Sequence, residues 1–341
     1  MTAQCADELS VCRILAVTRK PNAPSFEQRI AAYIDPLALQ NVSVDCEVLP
    51  ASPRGQRAVI GRCRRYDAVW WQRHLLSPWR VPRLRRATKR LVFDFDDPMI
   101  YSARDGGRAS FARRLRFAVL LNRCDATTAA SGYLADMARP YCAHTRVVPM
   151  AVDPPAEAVP VSERPGPVQL LWLGSSATQS YLELIQEPLE QIANAHREIS
   201  MRIVGHAPMT FGDLKIDFRK WSLEEQDQAL RQCHIGLCPM PDTVWTRGKC
   251  PYKVLQYMAY AMPWVGEAVG ENNVTAGPDG ASRGLCARGA DQWRECLRRL
   301  IKDRNLAADM GARGRRYVQE EHNRTTLTRQ LAGILRGSSE T

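Results

Sequence analysis

The sequence predicts an α/β protein built as two doubly wound halves, each a parallel sheet covered by helices on both faces. Three observations carry this. Short apolar runs alternate with helical stretches, and the alternation breaks at one proline-dense segment before it restarts. The chain of 341 residues is also long enough for two domains of ~150 to 180 residues.

The first half opens with an apolar run at 13–18 that ends in Pro21-Asn-Ala-Pro24, followed by a helical stretch from Ser25. Strands are expected at 42–49, 66–72 and 90–96, a helix at 110–122, and a strand at 125–130. Ser131 suits the cap of the next helix, and a strand at 145–150 closes the half. Residues 152–167 hold most of the local prolines and read as an interdomain linker. The second half repeats the alternation: strand 168–173, helix 178–195, strands 201–204 and 216–218, helix 223–233, strand 235–238. The end, 291–336, is charged and helical. The expected domains are therefore 1–151 and 168–341, with the final helix able to pack back on the first.

Residues 247–264, Arg-Gly-Lys-Cys-Pro-Tyr-Lys-Val-Leu-Gln-Tyr-Met-Ala-Tyr-Ala-Met-Pro-Trp, carry the strongest functional signal. Pro251 suits the first turn of a helix, and Gly248 loosens the backbone before it. On a helical wheel Val254, Leu255, Met258, Ala259 and Met262 share one side, with Lys249, Lys253, Gln256 and Tyr260 opposite. Free N–H groups, the positive dipole end and two lysines together suit an anion, most simply a diphosphate. The competing reading is a solvated cationic face on a core-packed helix.

In parallel sheets of this kind ligands lie beyond the carboxyl ends of strands. That rule selects the lysine-bearing helix start, the turn Gly174-Ser-Ser-Ala-Thr178, and Asp96-Asp97. Small residues in the turn let backbone approach a phosphate, unless it is an ordinary turn capped by Thr178 or Ser180. Asp96 or Asp97 suits the orientation or deprotonation of an acceptor hydroxyl; alternatively they cap the next segment or pair with nearby arginines. Asp94-Phe-Asp96 also spells a metal-holding D-x-D, and the strand looks like that of haloacid-dehalogenase phosphatases. Pro98 stands where those phosphatases need Thr or Val, and the strand lies deep in the half where theirs opens the domain.

Charge is placed unevenly. Residues 1–150 hold 24 Lys and Arg against 13 Asp and Glu, whereas the remainder holds 23 of each. The excess centres on Arg80, Arg83, Arg85, Arg86, Lys89 and Arg90, then Arg104, Arg108, Arg113, Arg114 and Arg116. This implies a solvated basic face or an anionic partner: a membrane surface ahead of nucleic acid, for which no binding motif is present. No run of ~20 apolar residues is present to span a bilayer. The start, Met1 to Glu8, is acidic and is not followed by a long apolar stretch, so no signal peptide is expected. Eleven scattered cysteines without CxxC pairs read as reduced thiols of a cytoplasmic protein, and the close pair Cys233 and Cys238 lacks a histidine pair at zinc-ligand spacing.

Taken in order, these segments resemble the glycosyltransferase group-1 superfamily (family 4, GT-B fold). Val92-Phe-Asp-Phe-Asp-Asp97 resembles a strand of a bacterial branch, and Val147-Val-Pro-Met-Ala-Val-Asp153 the segment entering the linker. Leu171-Trp-Leu-Gly-Ser-Ser-Ala-Thr-Gln-Ser-Tyr-Leu182 is similar to the opening strand and glycine turn of the donor domain. Residues 247–259, with Met262-Pro-Trp-Val265 and Val269-Gly-Glu-Asn272, resemble the donor signature, and Met310-Gly-Ala-Arg-Gly-Arg-Arg-Tyr-Val318 the C-terminal M-G-x-x-G-R helix.

The resemblance implies two Rossmann-like domains facing a deep cleft, and a retaining transferase using a nucleotide-diphosphate sugar. The acceptor would be lipid-linked, a polysaccharide or a small molecule. Same-face attack assisted by a donor phosphate oxygen requires no enzymic nucleophile. It makes Asp96, Asp97, Lys249 and Lys253 the catalytic candidates. Gly174, Ser175, Ser176, Arg247, Lys249, Lys253, Gln256, Glu271 and Asn272 become candidates for donor binding. No metal or other cofactor is expected. Location would be cytoplasmic, with peripheral attachment to the inner membrane face. Gly248 and Gln256 stand where most members carry two glutamates, and Ser175-Ser176 where several carry Arg and Lys, so Lys249 and Lys253 would supply the positive charge. His74 does not match the surroundings of the family's N-domain histidine. The same departures motivate an alternative, a catalytically idle protein of this fold that binds nucleotide sugars or a membrane surface.

Overall fold

A computed structural model describes residues 11–101 and 108–338. The acidic start Met1 to Glu8 and Arg104 lie outside the described residues. The chain forms two compact units, one running through Ala151 and resuming at Arg324, the other Val152–Asn323.

Unit 1 has six parallel strands: β1 (Cys12–Thr18), β2 (Val42–Val48), β3 (Ala68–Gln72), β4 (Arg90–Phe95), β5 (Ala126–Ala129) and β6 (Thr145–Val147). Their spatial order is β2-β1-β3-β4-β5-β6, so the winding reverses between β1 and β3. Alternate residues of each strand face opposite layers, which is why the strands read as continuous apolar runs. Leu15, Val17, Val69, Trp71, Phe93 and Phe95 enter one core, on which Phe117, Leu120 and Leu121 of the helix Phe111–Leu121 pack. Ile14, Ala16, Ala68, Trp70 and Val92 enter the other, closed by Leu327, Leu331, Ala332 and Leu335 of the helix Arg324–Arg336. That last helix is fixed to the sheet by Arg90 Nε donating to Ile334 O (2.9 Å) and Gln330 Nε2 donating to Val147 O (3.1 Å).

Unit 2 repeats the plan with β7 (Gln169–Leu173), β8 (Ser200–Gly205), β9 (Lys215–Lys220), β10 (Ile235–Cys238), β11 (Trp264–Glu267) and β12 (Leu285–Ala287). Its order, β12-β11-β10-β7-β8-β9, reverses between β7 and β10 and is the dinucleotide-binding arrangement. Among the described residues no helix is long and apolar enough to cross a membrane.

Two expectations are corrected. The proline-dense segment is not a free tether, because Val161 and Arg164 are buried. Arg164 donates to Leu230 O (3.0 Å), Cys233 O and Tyr260 O (2.7 Å), collecting the carbonyl ends of the helices Leu223–Gln232 and Tyr252–Ala259. Residues 178–195 are not one helix: a turn Ser176–Gln179 and a 3-10 stretch Ser180–Ile185 precede the helix Gln186–Ala195. The charged end is helical as expected, in three helices, Gly289–Lys302, Arg304–Glu321 and Arg324–Arg336, of which the last belongs to unit 1.

Candidate functional site

The helix Tyr252–Ala259 follows β10 and is held from both sides. Tyr257 lies across β10 with its hydroxyl donating to Leu237 O (3.1 Å), and Gly236 is needed because a Cβ there would strike the Tyr257 ring. On the outer side the helix Arg304–Glu321 approaches closely. A Cβ on Gly314 would come within 2.9 Å of Met258 Cγ, and one on Gly311 would strike the Ala261 carbonyl. The two glycines of the M-G-x-x-G-R segment are therefore clearance for the lysine-bearing helix.

Of the face expected to be solvated, this packing buries Gln256, while Lys249, Lys253 and Tyr260 keep partial exposure. Every side chain from Val254 to Ala259 is buried, Gln256 and Tyr257 included. Lys253 directs its ammonium over the Trp172 ring, 4.4 Å from the centroid. Trp172 belongs to β7, so the ammonium sits at the point where the sheet order reverses, where ligands bind in such sheets. Burial pushes the Lys253 pKa down to about 8, and the nearby Lys249 adds to the fall. No carboxylate pairs with it among the described residues; its polar neighbour is the buried thiol of Cys238, which ends β10. The Trp172 indole N–H is also buried without a hydrogen-bond partner. Lys249 stands over Trp245 at 5.9 Å, and among the described residues the N-cap position, Pro251, makes no side-chain cap hydrogen bond. An indole face stabilises a desolvated cation but leaves its N–H donors unused.

Gly174 follows β7, with Trp172 atoms 2.9 Å and Thr178 Oγ1 3.1 Å from where its Cβ would be. Ser175 and Ser176 are exposed at the start of the turn. Neither Thr178 nor Ser180 caps it: Thr178 Oγ1 donates instead to Ser175 O (3.3 Å). Arg247 is not a spare cation, since its guanidinium makes a two-point pair with Asp242 (2.6 and 3.0 Å). Beside it Gly270, at φ +54°, has no room for a Cβ against the Arg247 carbonyl, which fixes the turn before the helix Glu271–Ala276. Asn272 is fully buried and donates to Glu267 O (3.0 Å), so its amide braces β11 while Glu271 and Asn273 keep exposure.

In unit 1, Asp94 is buried between Arg29 and Thr128, whose hydroxyl donates to it (2.6 Å). Asp96 and Asp97 both face Arg73, Asp96 at 3.0 Å from its guanidinium. The pairing alternative thus describes this strand end, and the D-x-D carboxylates are already met by arginines. Arg73 itself sits at φ +52° immediately after β3. The described cysteines are free thiols, with Cys233 raised to about 12 by burial.

Sequence reasoning missed Trp172, Arg73, Arg29 and Arg164. A trace of Trp172 was present: glycines follow β7 and end β8, at Gly174 and Gly205, where its ring leaves no room for side chains.

No family model matches the sequence, and no curated protein matches it. Solved structures do match. A sucrose-phosphate synthase from Thermosynechococcus elongatus is similar with a TM-score of 0.70 at 15% identity, covering 96% of this chain and 98% of that one. HepE from Anabaena, in complex with UDP and glucose, gives 0.66 at 14% identity over 96% and 100% of the two chains. A glycosyltransferase from Rickettsia africae gives 0.65 at 11% identity over 96% and 99%. The fold is GT-B.

Proposed function

We propose that the protein is a retaining glycosyltransferase that moves a sugar from a nucleotide-diphosphate sugar, held by unit 2, to an acceptor held by unit 1. The observation that carries this reading is the Lys253 ammonium, desolvated on the Trp172 face at the strand-order reversal and unmatched by any carboxylate among the described residues. In this chemistry the barrier lies in building negative charge on the departing diphosphate. A preorganised ammonium and an uncapped helix start act on that charge more than on the ground state. Lys249 adds a second positive charge, so the two lysines take the role that a divalent ion fills in metal-dependent transferases. Asp96 and Asp97, held by Arg73, orient the acceptor hydroxyl; a donor phosphate oxygen takes its proton. Likeness to a fold whose Anabaena example was solved with UDP and UDP-glucose supports a uridine nucleotide as the first donor to try. Free thiols fit the cytoplasm, and the basic surface of unit 1 fits attachment to an anionic leaflet.

The test begins with a thermal-shift screen of nucleotide sugars, then measures transfer and donor hydrolysis. Lys253→Ala should lower kcat/KM by about 2 to 4 kcal/mol, the range seen when one transition-state donor is removed. Parental rates in that variant would sink the diphosphate assignment. Stabilisation by a nucleotide sugar with neither transfer nor hydrolysis would favour the idle binding protein that Gly248 and Gln256 suggest.

A further inference from the structure

Unit 1 gathers a second set of groups where its own strand order reverses, at the carboxyl ends of β1 and β3. Arg19 and Lys20 leave β1 exposed, and His74 follows β3 half-buried. The 3-10 turn Pro78–Arg80 packs beside the helix Phe111–Leu121. Residues from Phe111 through Arg116 on that helix are all exposed, and its buried face is Phe117, Leu120 and Leu121.

The charges here are one-sided. No Asp or Glu occurs between residues 73 and 93 or between 106 and 124. The nearby Asp96 and Asp97 are occupied by Arg73. Arg80 finds an uncharged partner, the Gln56 amide oxygen, and among the described residues neither Arg19 nor Arg116 has a carboxylate. The pairing of β1 with β3 and the packing of the 3-10 turn on the helix Phe111–Leu121 bring the segments that carry Arg19, His74, Arg80 and Arg116 to this end of the sheet, and burial with the fields of the three arginines presses the His74 pKa down to about 4. Like charges collected without counter-charge oppose folding, and a bound anion relieves them. Guanidinium groups in such a set match the geometry of phosphate oxygens.

Large apolar side chains stand in solvent on the same elements. Trp79 is 67% exposed, Phe111 81% and Leu115 45%. Phe111 and Leu115 are one helical turn apart on one strip, and Trp79 stands on the adjacent 3-10 turn. Apolar groups rimmed by charge in this way mark a surface that meets an apolar ligand or layer.

We propose that this end of unit 1 binds an anionic amphiphile, with a phosphate-type headgroup among Arg19, Arg80 and Arg116 and its apolar tail along Trp79, Phe111 and Leu115. The proposal rests on reading unit 1 as the acceptor side, and narrows the acceptor to a lipid-linked one.

Octyl phosphate below its micellar concentration, inorganic phosphate and octyl glucoside are the probes, read by NMR of histidine-labelled full-length protein. Octyl phosphate should bind at least roughly tenfold more tightly than either of the others. It should raise the His74 pKa by about one unit, since an anion offsets the three guanidinium fields. Arg80→Gln with Arg116→Gln should weaken octyl phosphate roughly tenfold, and Trp79→Ser should remove its advantage over inorganic phosphate. Equal binding of octyl glucoside would overturn the headgroup assignment, and equal binding of inorganic phosphate the tail. Capture by phosphatidylglycerol vesicles or DNA with His74 unmoved by octyl phosphate would reduce the surface to a general polycation and also overturn it. UDP binding, measured alongside, reports unit 2 separately, so failure of the donor assignment is not mistaken for failure of this one.

Discussion

The two sheets end in opposite electrostatic arrangements. At the centre of unit 1 the buried charge is matched, Arg29 with Asp94. At the strand-order reversal of unit 2, by contrast, Lys253 has an indole ring and a thiol for company. A matched pair answers its own desolvation and holds strands together; it has little left to offer a ligand. An ammonium without a counter-charge is held at a cost that a diphosphate removes. The contrast separates charges that maintain the fold from charges available for chemistry.

The largest effect should come from breaking the matched side. Arg29→Leu leaves Asp94 buried and uncompensated, and urea unfolding should show a loss of about 3 to 5 kcal/mol. The double variant Arg29→Leu/Asp94→Leu should recover much of it. A single-variant loss below about 1 kcal/mol would mean that Asp94 is not the buried charge described.

Next comes the pH response of the unmatched side. The folded pKa of Lys253, about 8, lies below the usual lysine value, so the unfolded chain binds the proton more tightly. This group's contribution to stability therefore rises with pH from about 8 to about 10.4, while below that window it opposes folding. Activity runs the other way. kcat/KM should fall above pH about 8, by roughly tenfold per unit, as the ammonium is lost. Lys253→Arg should carry the alkaline limb out of range; an unmoved limb would assign it to another group.

The smallest effect calibrates the others. Ser131 accepts from Leu134 N (3.3 Å) as an uncharged helix cap. Ser131→Ala should cost about 1 kcal/mol in the same unfolding experiment, well under the Arg29 value. Similar losses for the two would erase the distinction between a buried ion pair and an ordinary cap.

Much of the fold was legible because parallel strands buried on both faces leave a local trace, unbroken apolar runs, in their own residues. β1 to β10 lie where strands are expected, although the edge strands Val42–Val48 and Lys215–Lys220 are mostly polar and half-exposed rather than unbroken apolar runs. The strands Trp264–Glu267 and Leu285–Ala287 escape the sequence reading because Pro263, Gly266 and Gly284 read as turn signals. The helices Pro53–Arg62 and Val81–Arg86 hide because arginine and proline blur their period. The site was half legible. Lys253 announced itself through the helix start, but its position depends on Trp172, 81 residues earlier, and spacing along a chain carries no record of a contact across a sheet. Arg164 misled for the same reason: a proline-rich neighbourhood reads as a tether, while the carbonyls it gathers come from two distant helices.

The tryptophan beneath Lys253 has a consequence of its own. Because the ring covers one side of the ammonium, position 172 acts on the amine's acidity through the dryness of its surroundings. A phenylalanine or leucine there would reset the alkalinity the protein tolerates while removing one polar atom, the indole N–H that has no partner among the described residues. The working range of a lineage built on this scaffold can thus drift through a single aromatic position.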